Sequence, residues 1–173
     1  MQPDTQSTKE HQSIRLFEND TLERLSHVHP ITPLVFWSPV AAWLLWRSVS
    51  LYDFGLGALL AMAIAGIFAW TLAEYLLHRF VFHFPAKSKI GKWFVFIFHG
   101  NHHHDPKDKT RLVMPPAGGV PIMALLYLFF ELFLPQPWLQ QFFAFFIIGY
   151  LCYDYIHYAT HHFPMKGRGA KFL

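Results

Sequence analysis

The chain has 173 residues, enough for one domain with a real core and short for two. It is 53% hydrophobic, 18% aromatic and only 14% charged, against roughly 25% charged in an average soluble domain, which excludes an ordinary water-soluble globule and points to a membrane. A single cysteine excludes an intrachain disulfide and a cysteine metal cluster.

In chain order, residues 1–30 form a polar N-terminal segment of mixed charge, without the basic start, apolar centre and small-residue cleavage site of a signal peptide. The first dozen residues are expected to be disordered. Residues 34–46 are apolar but form a short run that contains Pro39, which removes a helical hydrogen bond, so a kinked or only partly inserted helix is expected. Residues 54–73, "FGLGALLAMAIAGIFAWTLA", run without a charge for about the thickness of one bilayer core and read as a transmembrane helix. Residues 118–134 and 138–155 make two more runs, with Glu131 and the "PQP" of 135–137 at their junction. The expected fold is all-α: an integral membrane domain over residues 31–173 with four transmembrane helices paired as two hairpins, and a cytoplasmic histidine-rich helical cap. Cys152, inside the last run, reads as a small buried hydrophobe.

Lys and Arg are unevenly placed around those four runs. Lys9, Arg15 and Arg24 precede the first; Arg79, Lys87, Lys89, Lys92, Lys107, Lys109 and Arg111 lie between the second and third; Lys166, Arg168 and Lys171 follow the fourth; only Arg47 is left for the other side. Excess positive charge marks the cytoplasmic face. The net charge of +3 therefore describes orientation and gives no ground for nucleic-acid binding.

Nine of the twelve histidines share that face: His78 and His83 after the second run, His99, His102, His103 and His104 in the loop before the third, and His157, His161 and His162 closing the fourth. Neighbours three or four apart share a helix face. "HGNHH" thus points His99 and His102 one way with His103 rotated beside them, a trio able to serve two metal ions, and "HYATH" directs His157 and His161 into one site. His78 and His83, five apart, lie about 140° from each other on an ideal helix and converge only where the helix stops or bends. A lone interfacial histidine is usually a snorkelling side chain, but three converging clusters favour a metal site, with His104 and His162 as bystanders. Imidazole suits iron, zinc, copper or nickel, and the sequence does not choose among them. Glu74, one turn before His78, and Asp154, three before His157, are placed to accept a proton from a ligand's second ring nitrogen. For both acids an ion pair with Arg79 or an interfacial charge is an equal alternative. Asp108 and Arg111 are spaced for an i, i+3 pair, and "MPP" ends any helix before the third run. The aromatic residues Trp93, Phe94, Phe96, Phe98, Tyr150, Tyr153, Tyr155 and Tyr158 read mostly as an interfacial belt.

The stretches "EYLLHRFVFHF" (74–84), "HGNHH" (99–103), "DKTRLVMPP" (108–116) and "YDYIHYATHH" (153–162), with "RLFENDTLERL" (15–25), resemble the fatty acid hydroxylases of the sterol desaturase superfamily, most closely the fatty acid 2-hydroxylases that act on sphingolipid acyl chains. The resemblance implies a four-span domain whose cytoplasmic cap holds two histidine-ligated metal ions that activate oxygen, iron in the active form with zinc possible on isolation. By position the ligands are His78, His83, His99, His102, His103, His157 and His161. It further implies hydroxylation at C2 of a fatty acyl chain, free or in a sphingolipid or ceramide, with O2 and an external electron donor of cytochrome b5 or ferredoxin type with its reductase. The location is the endoplasmic reticulum membrane in a eukaryote or the inner membrane in a bacterium.

Family members carry one more box, H-x-x-H-H, shortly after the "HYATHH" stretch. This chain ends at Leu173, just short of it, so an incomplete centre is expected. Animal and fungal members also carry an N-terminal cytochrome b5 domain, and a form without one is expected here. The alternatives are a sterol or carotenoid oxidase of the same superfamily, an inactive truncated member, and a membrane haem protein or metal carrier. The last needs facing histidines within the spans or polar residues at mid-membrane, and neither is present in residues 54–73.

Overall fold

The computed structural model describes residues 13–163, and each of the four apolar runs is mostly helical. The expected disorder of the first dozen residues, Lys166, Arg168 and Lys171, and the approach to Leu173 lie outside the described residues.

Helix α1, Asp20–Ser26, starts at Asn19, whose side chain accepts the backbone N–H groups of Thr21 and Leu22. Helix α2, Thr32–Leu51, begins with a proline in its first turn and runs for 20 residues, about 30 Å. The expected short segment is a 20-residue helix that continues through Pro39: the proline sits on the exposed side, and one lost hydrogen bond is tolerated in a span. Helix α3, Leu56–Leu76, continues into a π-helical stretch, Leu77–Phe82, giving one rod of 27 residues, Leu56–Phe82. Short helices α4, Lys89–Val95, and α5, Asn101–His104, are joined by a second π-helical stretch, Phe96–Gly100. Helix α6 spans Pro116–Glu131, starting after Pro115 as "MPP" requires, and α7 spans Gln136–His162.

Three of these rods, Thr32–Leu51, Leu56–Phe82 and Gln136–His162, are long and apolar enough to cross a membrane. Helix α6 is shorter than its apolar run. It has 16 residues, about 24 Å, because Leu132, Phe133 and Leu134 turn back onto the carbonyls of Phe129 and Phe130 ahead of Pro135, which cannot extend a helix. The 27-residue rods reach about 40 Å, longer than a hydrocarbon core of about 30 Å, and bear histidines in their C-terminal turns.

The core follows one face of α7: Leu139, Phe142, Phe143, Phe146, Ile147, Tyr150, Leu151 and Asp154 recur at helical spacing and are buried against α2 and α3. Two glycines set how closely α3 and α7 approach. A Cβ on Gly66 would lie 2.4 Å from the carbonyl oxygen of Phe142, and one on Gly149 would lie 2.9 Å from Trp70 Cβ. Small residues at crossings are how membrane helices gain contact where lipid supplies no hydrophobic drive. Trp70 fills the space above, edge-on to Phe146 and Tyr150 at 5.2 and 5.1 Å. Cys152 departs from its expected burial: it lies on the opposite, exposed side of α7.

Candidate metal centre

The two π-helical stretches fall on the first two histidine boxes. In Leu77–Phe82 the bonding runs i to i+5, so the backbone N–H of His83 donates to the carbonyl of His78 at 3.0 Å and side chains five apart stack. That removes the 140° divergence: the two Nε2 atoms lie 3.1 Å apart. In the second stretch Asn101 secures the widened turn, its side-chain amide donating to the carbonyls of Ile97 at 2.6 Å and Phe96 at 3.3 Å. His99 then meets His103, with Nε2 atoms 2.9 Å apart, rather than pairing with His102 as the spacing suggested. His102 turns toward α7, where His157 and His161 stand one turn apart with Nε2 atoms 3.2 Å from each other.

All seven expected histidines come together, in two groups. His78, His83, His99 and His103 form one; His102, His157 and His161 form the other, and within each the ring nitrogens lie within 4.8 Å of one another. Sequence neighbours His102 and His103 belong to different groups, while His104 and His162 belong to neither. Burial first, then the imidazoles of His102, His78, His103 and His83, lower the His99 pKa to about 2. Burial with His103, His157 and His161 takes His102 to about 3, and burial with His83 and His161 lowers His103. These rings are therefore neutral at pH 7, with a lone pair free. The buried Nε2 of His102 has no hydrogen-bond partner, which is costly unless a cation fills the role. Neutral, converging imidazoles of this kind fit iron or zinc.

The expected supporting acids behave differently from each other. Glu74 lies 3.5 Å from His78 Nδ1, on the side of the ring away from His83. The alternative ion pair with Arg79 is not formed, since Arg79 donates to the Tyr75 hydroxyl at 2.6 Å and lies over the Tyr75 and Phe80 rings. Asp154 is buried with Oδ2 unpartnered, and among the described residues it forms no hydrogen bond with His157.

A cavity of about 380 Å³ opens against the histidines, with His99, His102 and His157 in its wall. That volume is within the usual range for small-molecule sites. Trp93, Phe98, Tyr150 and Tyr153, read from sequence as an interfacial belt, line this cavity instead. Trp37, Met123 and the N-terminal residues Leu16, Phe17, Leu22 and Leu25 complete it, and nothing in their local pattern announced that. The N-terminal residues are held there by Arg111. Its buried guanidinium contacts the Glu23 carboxylate, lies 2.7 Å from His27 Nε2 and 3.7 Å from Asp108. Glu23 in turn accepts the backbone N–H groups of Leu16 and Phe17, each at 2.9 Å. Burial opposes its charge, but those two N–H groups and Arg111 outweigh it and hold the carboxyl down to about 2. His27 Nδ1 lies 2.7 Å from the Thr110 hydroxyl, and the Val28 N–H donates to the Thr110 carbonyl at 2.8 Å.

A family model described as fatty acid hydroxylase matches residues 63–172. Fatty acid 2-hydroxylase of Rattus norvegicus is 33% identical, the match covering 89% of this chain and 47% of that protein. Ceramide very long chain fatty acid hydroxylase SCS7 of Saccharomyces cerevisiae is 39% identical, over 78% of this chain and 37% of that one. Dihydroceramide fatty acyl 2-hydroxylase FAH1 of Arabidopsis thaliana is 35% identical, over 86% and 62%. The solved structure of full-length scs7p, in which only the hydroxylase domain is visible, superimposes with a TM-score of 0.81 at 36% identity, covering 90% of this chain and 59% of that one. The chain thus spans about half the length of the curated relatives it matches.

Proposed function

Since the chain belongs to the fatty acid hydroxylase family, we propose that it is the membrane-embedded part of an oxygen-dependent monooxygenase that hydroxylates C2 of a fatty acyl chain, free or in a ceramide or other sphingolipid. The observation that carries this reading is the pair of histidine groups opening onto one largely apolar cavity. The names of the relatives supply the regiochemistry and the substrate class.

His78, His83, His99 and His103 would hold one ion, and His102, His157 and His161 the other, the adjacent His102 and His103 tying the two together. Iron at these positions supplies dioxygen reduction and cleavage of the C–H bond. The chain's own residues do the rest. Glu74 accepts the Nδ1 proton of His78 and so leaves Nε2 free to ligate. Trp70, Phe98, Tyr150 and Tyr153 keep water from the acyl chain, and the neighbouring His99, His102 and His157 fix where its C2 must lie. Electrons come from an external cytochrome b5-type or ferredoxin-type donor with its reductase.

Given such a donor, membranes containing the full-length protein are expected to convert a defined ceramide or fatty acid into a product with one added oxygen, located at C2 by fragmentation. A hydroxyl found elsewhere on the chain, or a sterol oxidised in preference, would overturn the assignment.

In the membrane we place α6 as a fourth span, its shortness met by local thinning of the bilayer, and put the histidines on the cytoplasmic face, in the endoplasmic reticulum of a eukaryote or the inner membrane of a bacterium. The charge distribution supports this: Arg47 is alone on the side opposite thirteen other Lys and Arg residues. With Cys152 replaced by alanine, a cysteine introduced at Gln136 is expected to react with an impermeant reagent from outside and one at Lys107 is not. The reverse pattern overturns the topology.

A further inference from the structure

Two spaces open toward α2 and α6. One is the cavity beside the histidines. The other is a groove of about 370 Å³ between α2 and α6, bounded by Val40, Leu44, Val120, Ala124 and Phe143. Both are lined by Trp37 and Met123, each only 5% exposed, so one layer of side chain separates them. That partition has slack. Met123 is unbranched and flexible, and across from Trp37 stands Gly119, where an added Cβ would meet nothing closer than Trp37 Cζ2 at 3.7 Å. The opposite side is closed: α3 and α7 interlock at Gly66 and Gly149 with no room for a single added carbon. The groove stays apolar along α2 as far as Arg47, whose guanidinium lies 5.5 Å from the Trp43 ring, and Tyr127 faces it from α6. From Phe36 to Arg47 is about 16 Å of helix.

With the α3–α7 side closed and Trp37 and Met123 shared by both spaces, an acyl chain held at the histidines and longer than the cavity has a path past these two side chains into the groove. We propose that the groove between α2 and α6 receives the distal part of the acyl chain, that Trp37 and Met123 form the gate into it, and that these two helices set which chain lengths are hydroxylated. This rests on the acyl hydroxylase reading and adds to it the route of the tail.

The direct test uses the full-length protein in membranes with a ceramide whose acyl chain ends in a photoreactive diazirine. Cross-links are expected on Val40, Trp43 and Ala124, competed away by unlabelled ceramide. Cross-links on the outer face of α3, or labelling of the groove that ceramide does not compete, would assign it to bulk lipid and overturn the proposal. This readout needs no turnover, so it decides the matter even where the hydroxylase reading itself fails. Where product forms, Ala124→Trp should lower the ratio of long-chain to short-chain product by about tenfold, the scale at which one pocket contact discriminates, and Trp37→Ala should raise it. An unchanged ratio in both variants would equally overturn the proposal.

Discussion

Replacing His99 with alanine is expected to abolish 2-hydroxy acyl product and to empty the ion position built by His78, His83, His99 and His103. His99 is the buried member of that group, edge-on to the rings of His78, His83, His102 and His103. Losing a group that merely orients a ligand costs about 10- to 100-fold in affinity or activity, so losing the ligand itself should cost at least that. Metal analysis of the purified full-length protein should give two ions per chain for the unaltered sequence and a deficit for His99→Ala or His103→Ala. His157→Ala and His161→Ala should deplete the other position, and His104→Ala, outside both groups, should deplete neither. Equal loss from His104→Ala would mean that these histidines serve folding alone. A single ion per chain in the unaltered protein would remove the division into two groups.

What the sequence made legible was the part written in composition and short-range spacing. Long uncharged runs became rods because a bilayer leaves the backbone no partner but itself, and the third box converged because His157 and His161 are one turn apart on α7. The first two boxes were harder. Spacing rules assume 3.6 residues per turn, and the π-helical first stretch brings His83 onto His78; in the second, His99 is within ordinary helical reach of both His102 and His103, and spacing alone did not say which shares its group. The mark of that departure was the five-residue separation of His78 and His83, which left a bend as the condition for convergence. The cavity had no such mark. Trp37, Met123 and Phe17 meet there from segments far apart in the chain, and aromatic residues near a membrane surface look alike whether they face lipid or a substrate. The partner of Arg111 was half visible: Asp108 is three residues away, but the stronger contact, Glu23, is 88 residues distant.

Arg111→Met is expected to release the N-terminal segment from the cavity while leaving the helical bundle folded. The Arg111 and Glu23 side chains are 4% and 16% exposed, so removing the cation leaves the Glu23 carboxylate, and Asp108 beside it, charged and largely out of water. Breaking a buried pair from one side costs about 3 kcal/mol, roughly a hundredfold in the local opening equilibrium. The amides of Leu16 and Phe17 report it directly, because both donate to Glu23, and their hydrogen exchange should speed up by about that factor while amides in α7 are unaffected. A double-mutant cycle separates an unpaired charge from lost packing: if the charge is the cause, adding Glu23→Gln to Arg111→Met restores part of the protection, and additive losses would reject it. Acid should act on the unaltered protein in the same direction. Glu23 is held down to about 2 from an ordinary 4.5, so its contribution is complete above 4.5 and fades as pH falls toward 2. Protection factors at Leu16 and Phe17, taken relative to the intrinsic exchange rate at each pH, that stay constant across that window would show that something other than the Glu23 carboxylate holds the segment over the cavity.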